Sequence, residues 1–264
     1  SHQLGRNFAR MFDIQFLDES MATQHAVQTS WGFTTRSIGI LVMVHGDDKG
    51  LVLPPKVALT QVVILPIYFK NNDNVALNGK CQEIAQQLRA AGLRVEVDDR
   101  ENYTAGWKFN DWEMKGVPLR LELGPKDLEA GEVKVVRRVD NKKSQAPIAD
   151  VLATVQAELA DIHATMLENA RKKLHDNTLT AETWDEFMAH VNALKVVRTP
   201  WCDGRECEER VKERSAAESK EQKSELSGSA KTLCKPLEQE SVEGKKCFHC
   251  GEGAKTWVLW GRSY

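Results

Sequence analysis

The sequence predicts a multidomain protein of mixed α/β and α+β class. Three observations carry that expectation. The chain has 264 residues, room for two or three domains at about 150 residues each. From Gln61 onward, apolar runs alternate with helical patterns, the grammar of an α/β unit. Five of the six cysteines lie after residue 200, which marks a C-terminal block built around metal or redox chemistry.

Residues 1–58 read as extended segments joined by polar turns, part of an antiparallel sheet. Ile38 to Val44 is a continuous apolar run suited to a strand buried on both faces. His45-Gly46-Asp47-Asp48-Lys49-Gly50 reads as a turn, and Pro54-Pro55 ends the ladder. Val62 to Phe69 is a strand. Leu77, Cys81, Ile84, Ala85 and Leu88 recur at helical spacing up to Gly92, which suits a C-cap. Leu93 to Val97 is a strand, and a short helix runs near Trp107 to Lys115. Strands follow at Val117–Leu123 and Val133–Arg138, and Pro147 opens a long helix to about Leu174. Together these form an α/β unit with a mostly parallel or mixed sheet. Beyond residue 175, one helix sets Trp184, Phe187, Met188, Val191 and Leu194 on a single face. Residues 205–225 hold six positive and seven negative side chains, which predicts a solvated helix or a mobile insertion.

Composition excludes several classes. Thirty-six Lys and Arg against 38 Asp and Glu leave a net charge of −2, so any nucleic-acid partner must meet a local patch and not a chain-wide basic face. The longest strictly apolar run, Ile40 to Val44, is far below the ~18 residues of a membrane span. The chain opens on Ser1 with no basic segment leading into an apolar one, so no signal peptide is expected. The absent Met suits the back part of a longer protein.

Chemistry concentrates in three places. Cys202-x4-Cys207 and Cys247-x2-Cys250 are two close pairs separated by 39 residues. Two such pairs can make a closed, structural four-thiolate metal site, with Gly204 and Gly251 easing the turns. Cys234 and His249 are possible substitute ligands, and reduced cysteines or a disulfide stay open as alternatives. A redox Cys-x2-Cys is less suited, because no strand–helix context follows it. In the segment Gly106 to Lys115, aromatics interleave with charges. Phe109 and Glu113 lie four apart, so on a helix a base could stack on the ring while the carboxylate accepts from a guanine edge. Arg120, Lys126, Lys134, Arg137, Arg138, Lys142 and Lys143 would complete a basic patch. The bland alternative is an amphipathic helix with core tryptophans and a charged rim. Arg36, after Ser30-Trp31-Gly32-Phe33-Thr34-Thr35, could pair on a surface or hold a nucleotide phosphate.

These stretches together resemble the C-terminal portion of the prolyl-tRNA synthetase family, of the eukaryotic and archaeal type with an added C-terminal domain. The matching strings are Ser1-His2-x-Leu4-Gly5-x-Asn7-Phe8, Ser30-Trp31-Gly32-x-Thr34-Thr35-Arg36-x-Ile38-Gly39 and Val44-His45-Gly46-Asp47 through Gly50-Leu51-Val52-Leu53-Pro54-Pro55. They continue with Gly106-Trp107-Lys108-Phe109, Lys115-Gly116-Val117-Pro118-Leu119-Arg120 and Gly261-Arg262-Ser263-Tyr264. The resemblance implies a class II ligase that activates L-proline with ATP, accompanied by Mg2+, and transfers it to tRNA(Pro). It implies a partial antiparallel class II catalytic sheet in residues 1–58, an α/β anticodon-binding domain in 59–165 and a C-terminal zinc-binding α+β domain in 166–264. Arg36 then matches the third class II motif and would hold ATP phosphates. His2 would line the proline pocket, Ser30, Trp31 and Gly32 its wall, and Thr34 the nucleotide. Phe109, Glu113, Arg120, Lys126 and Lys142 fall on positions that read two anticodon guanines. Cys202, Cys207, Cys247 and Cys250 match zinc ligands, although some members carry Cys-x-Cys as the second pair. The family's chain end reaches back toward the active site, which would give Tyr264 a role there.

The first two class II motifs and the proline-selecting loop have no counterpart in these residues, so the isolated 264 residues are expected not to make prolyl-adenylate. A homodimer in the cytoplasm, with no membrane attachment, is the expected setting of the full enzyme. The competing readings are a non-catalytic tRNA anticodon-binding module with a structural zinc domain, and a C-terminal block that serves only packing. Retention of His2, Trp31 and Arg36 in adenylate-site contexts favours the enzyme.

Overall fold

The computed structural model describes residues 2–69, 74–221 and 228–262. The chain packs as two units, Ser1–Ala164 and Thr165–Tyr264.

The first unit opens with short elements: β1 (His2–Gly5), α1 (Asn7–Met11), β2 (Gln15–Leu17), β3 (Thr23–His25), β4 (Gln28–Ser30), α2 (Arg36–His45), β5 (Gly46–Asp47) and β6 (Gly50–Leu51). The strands form three separate antiparallel ladders, β1–β4, β2–β3 and β5–β6. The run Ile38–Val44, expected as a buried strand, is instead the body of α2, and none of that helix's residues is buried. A continuous apolar run has no period to separate helix from strand. The local turn decides: Ser37 and Ile38 donate backbone N–H bonds to the carbonyls of Thr34 and Thr35, which winds the chain into a helix. Leu41 and Met43 favour helix, and the β-branched residues oppose it by only tenths of a kcal/mol each.

The rest of this unit is built on β7 (Val62–Pro66), α3 (Asn74–Ala90), β8 (Val95–Val97), α4 (Ala105–Met114), β9 (Leu119–Leu123), α5 (Pro125–Ala130), β10 (Glu132–Arg137), β11 (Lys143–Pro147) and α6 (Val151–Asp176). The sheet is mixed, in the order β11-β10-β9-β7-β8. β7 runs parallel to β8 and β9, and β9, β10 and β11 are antiparallel. Every residue of β7 is buried, as its unbroken apolar sequence requires of a central strand. All five apolar residues spaced along α3 are buried. Gly92 takes φ +82°, the left-handed turn that ends the helix.

The β5–β6 hairpin meets the end of α4 closely. Gly50 has φ +131°, and a Cβ there would lie 2.4 Å from the Cα of Met114. Leu53 donates to the Gly116 carbonyl at 3.3 Å, and Asp47 pairs with buried Arg138 at 2.6 Å. That hydrogen-bonded guanidinium holds the Asp47 carboxyl down at about 2. Gly50→Ala is therefore expected to destabilise the chain by about 1–3 kcal/mol through backbone strain and steric clash. Urea unfolding of the variant checks this, and an unchanged midpoint would refute the close contact.

The second unit contains β12 (Thr178–Thr180), α7 (Trp184–Asn192), β13 (Val196–Trp201), α8 (Arg205–Glu221), β14 (Ala230–Cys234) and β15 (Thr256–Arg262). Its sheet order is β12-β13-β15-β14, with β12–β13 parallel and the other pairs antiparallel. Thr183 and Glu186 form a reciprocal cap that starts α7. Trp184, Phe187, Met188 and Val191 then enter a core with Trp201, Phe248 and Trp260. Leu194, expected on that face, lies past the helix end at φ +59° and is exposed. The charged stretch expected as solvated or mobile is a helix with one buried stripe, Cys207, Val211, Ser215 and Ser219. Two serines stand where apolar residues would signal burial. The Ser215 hydroxyl accepts from Ala230 N–H at 2.9 Å, so burial leaves it satisfied. Residues 222–225 of that stretch lie outside the described residues.

Candidate functional site

Thr104 caps α4 by accepting from Trp107 N–H, and the helix presents Phe109 and Glu113 one turn apart beside β9. Arg120 of β9 completes the group. Its guanidinium lies 4.3 Å from the Phe109 ring centroid, 3.3 Å from Glu113 and 3.0 Å from Glu122. Arg120 is nearly buried, so these charge-assisted contacts form in a poorly solvated place and fix its plane. It fixes the Glu113 carboxylate in turn while leaving it acceptor capacity. Phe109, Phe69, Ile67, Glu122 and Lys134 line a groove of about 330 Å3 at the C-terminal ends of β7 and β9, and exposed Lys126 stands at its edge at the start of α5.

Lys142 is not brought to this groove. It lies in the exposed turn between β10 and β11, and Arg137 and Val136 beside that turn face Leu119 and Arg120 at the start of β9. Lys126 follows the far end of β9, roughly 13 Å along the strand. The wider basic patch is also smaller than expected. Arg137 is buried and paired with Glu158, Asp161 and Asp140, Arg138 with Asp47, and Lys134 with Glu122 at 3.7 Å. Their charges are neutralised within the fold.

Beneath α4 lies a polar network the sequence reading missed. The Asp98 side chain is 1% exposed and binds Arg100 at 2.7 Å, while Trp112 Nε1 donates to it at 2.8 Å. Buried Lys108 donates to the Asp98 carbonyl at 2.9 Å. Burial alone would push the Asp98 carboxyl up, but the hydrogen bonds from Arg100 and Trp112 outweigh it and hold it at about 2. Trp112 also packs against Val63, Leu65 and Val117, so the core-tryptophan alternative holds for that residue.

In the second unit, the sulfurs of Cys202, Cys207, Cys247 and Cys250 all lie within 4.8 Å of one another. Cys207 and Cys247 are 3.8 Å apart, and Cys202 and Cys250 are 3.6 Å apart. A tetrahedral site with metal–sulfur bonds of ~2.3 Å needs sulfurs about 3.8 Å apart. The quartet could hold a metal ion, and two of its sulfur pairs already stand near that separation. Cys234 is exposed on β14 and outside the group, and His249 Nδ1 stands 3.5 Å from Cys207 Sγ.

At the N-terminus, β1 and β4 pair His2 with Ser30. Trp31, 86% exposed, with Gly32 and Thr34, occupies the exposed segment leading to α2, whose first residue is Arg36. His2 and Ser30 are thus neighbours, and Arg36 stands at a helix start. Tyr264 lies outside the described residues.

Residues 61–158 match the family model described as anticodon binding domain, and residues 184–264 match the model described as prolyl-tRNA synthetase, C-terminal. The whole chain is 46% identical to a cytoplasmic proline–tRNA ligase of Arabidopsis thaliana, covering 48% of it. It is 42% identical to a proline–tRNA ligase of Encephalitozoon cuniculi, covering 54%. It is 43% identical to proline–tRNA ligase 2 of Clostridioides difficile, covering 52%. The chain spans about half the length of these curated relatives.

Proposed function

We propose that this chain, which belongs to the prolyl-tRNA synthetase family and matches its C-terminal portion, supplies anticodon recognition, the end of the active site and the C-terminal domain of a proline–tRNA ligase. The observation that carries the reading is Arg120, clamped between the Phe109 ring and the Glu113 carboxylate, with Phe109 lining a groove. Such a site stacks a base and accepts from its edge, which suits the N–H donors of guanine. Lys126 would meet the phosphate backbone at the groove edge, and Lys142 a phosphate farther along the RNA.

The whole enzyme would activate L-proline with ATP and Mg2+ to prolyl-adenylate and esterify tRNA(Pro). Within residues 1–58, as part of an antiparallel class II sheet, Arg36 would neutralise the departing pyrophosphate. His2 and Ser30 would border the proline pocket, with Trp31, Gly32 and Thr34 around the adenylate. Residues 59–165 would form the anticodon-binding domain and 166–264 the C-terminal domain. There Cys202, Cys207, Cys247 and Cys250 would hold a structural zinc, which supplies cross-linking and no chemistry. The exposed apolar residues of α2, Ile38 at 62% and Met43 at 65% among them, support packing against further parts of a homodimeric enzyme. Among the described residues no helix is long and apolar enough to cross a membrane. The cytoplasmic setting of the enzyme draws instead on the name of the Arabidopsis thaliana relative. A second reading, a non-catalytic tRNA-binding module with a structural zinc domain, draws on the open placement of Trp31.

Glu113→Ala should weaken binding of a tRNA(Pro) anticodon stem-loop by roughly 1–3 kcal/mol. Equal loss on stem-loops lacking the two guanines, or no loss, would sink the base-reading role.

A further inference from the structure

A second groove, of about 510 Å3, runs along the other flank of α4, lined by Trp107, Asn110, Asp111, Glu113 and Met114 with Lys49 of the β5–β6 turn. Around the helix axis Glu113 falls between Phe109 and Asn110; it lines this second groove and stands one turn from Phe109, which lines the first. Trp107 is 43% exposed, and its core role is slight because Trp112 and Lys108 carry the inward packing of this helix. One face of Trp107 rests on Tyr103, with ring centroids 4.0 Å apart and planes 17° from parallel. Arg100 sits beside both rings, 5.0 Å from one centroid and 5.2 Å from the other, and is itself tied to Asp98 and Asp111. The result is a rigid aromatic platform with a fixed cation at its edge, opening on a groove with an amide and an ammonium. Single-stranded nucleic acid is bound by this combination: aromatic faces stack bases and lysines meet phosphates.

Resting on the anticodon-reading role above, we infer that Trp107 is a stacking platform for a third unpaired base of the anticodon loop, adjoining the two guanines. Asn110 meets that base's edge through its amide, and Lys49 meets the neighbouring phosphate. Adjacency of the two grooves on α4, with Phe109 in one and Glu113 a turn away in the other, is what selects a neighbouring base over an unrelated ligand.

The test uses the full chain and anticodon stem-loops carrying the fluorescent base 2-aminopurine on either side of the two guanines. Stacking on Trp107 quenches the probe at one position. Trp107→Leu should abolish that quenching and weaken binding roughly 10-fold, while Trp107→Phe retains both. Asn110→Ala provides a second variant that leaves the aromatic stack in place and should weaken binding for some bases at that position and not others. Quenching that survives Trp107→Leu, or affinity within twofold of the parent, overturns the assignment. Loss with Lys49→Ala but not Trp107→Leu would mean the groove takes phosphate only, and also overturns it. If Glu113→Ala still weakens guanine-dependent binding in these cases, only the Trp107 inference fails. A parent chain that ignores the guanines fails both readings.

Discussion

If the quartet holds a structural zinc as proposed, Cys247→Ser is expected to abolish zinc binding and to destabilise the C-terminal unit by at least ~3 kcal/mol. Structural zinc in small domains contributes on the order of 10 kcal/mol to folding, so a broken quartet forfeits a large share of it. The position sharpens the effect. Cys247 is buried, its N–H donates to the Glu252 carbonyl at 2.7 Å, and its neighbour Phe248 packs 4.7 Å from Phe187 and 5.5 Å from Trp260. Loss of the ligand therefore loosens the aromatic core as well as the loop. Elemental analysis of the purified chain with thermal unfolding checks this, and Cys234→Ser, outside the quartet, should change neither. A parent chain with less than one zinc per two molecules would dismiss the site.

The second large effect is expected at Asp98. Asp98→Ala removes the carboxylate that faces Arg100, Trp112 and Lys108, and leaves buried Lys108 with a backbone carbonyl and the Tyr68 ring face beside its charge. Breaking a buried charge arrangement in this way costs about 3–5 kcal/mol. The sign with pH follows from the depressed carboxyl. A group ordinarily near 3.8 and held at about 2 stabilises the fold fully above pH ~4 and loses that contribution as pH falls toward 2. Urea unfolding at neutral pH gives the first number, and an acid titration gives the second. Asp98→Asn should flatten the acid limb between pH 4 and 2, and a limb of unchanged steepness would assign it to other carboxyls.

Legibility in the sequence followed periodicity. The helix α3 could be read because Leu77, Cys81, Ile84, Ala85 and Leu88 repeat at the helical period, and β7 because an unbroken apolar run between breakers suits a central strand. The helix α2 could not, since its apolar run has no period. β13 runs through Pro200, a residue that argues against a strand interior. It is tolerated because β12 pairs only residues 196–198 of β13, so the flank where the N–H is missing has no partner strand among the described residues, and the carbonyl on that flank accepts from Phe248. In the candidate site, Phe109 and Glu113 share one helix face and could be paired from spacing alone. Arg120 comes from another element, and only the fold shows that it lies over the ring. Asp98 had no signal at all, since Trp112 and Lys108, which meet it in the fold, come from α4. Lys142 rested on resemblance, and the fold leaves it beside the start of β9, at the opposite end from Lys126.

The meeting of Gly50 with Met114 also bears on how this protein can be altered in length. Hairpin tips are ordinarily where insertions, tags and permuted termini are accommodated. The tip at Asp48-Lys49 looks suitable by its exposure, yet its base is wedged against α4 and latched by Asp47 to Arg138. Each added residue there would pry at the helix that carries Phe109 and Glu113. A turn at the surface is thereby held to a fixed number of residues, and a reporter placed in it would disturb the site it was meant to observe.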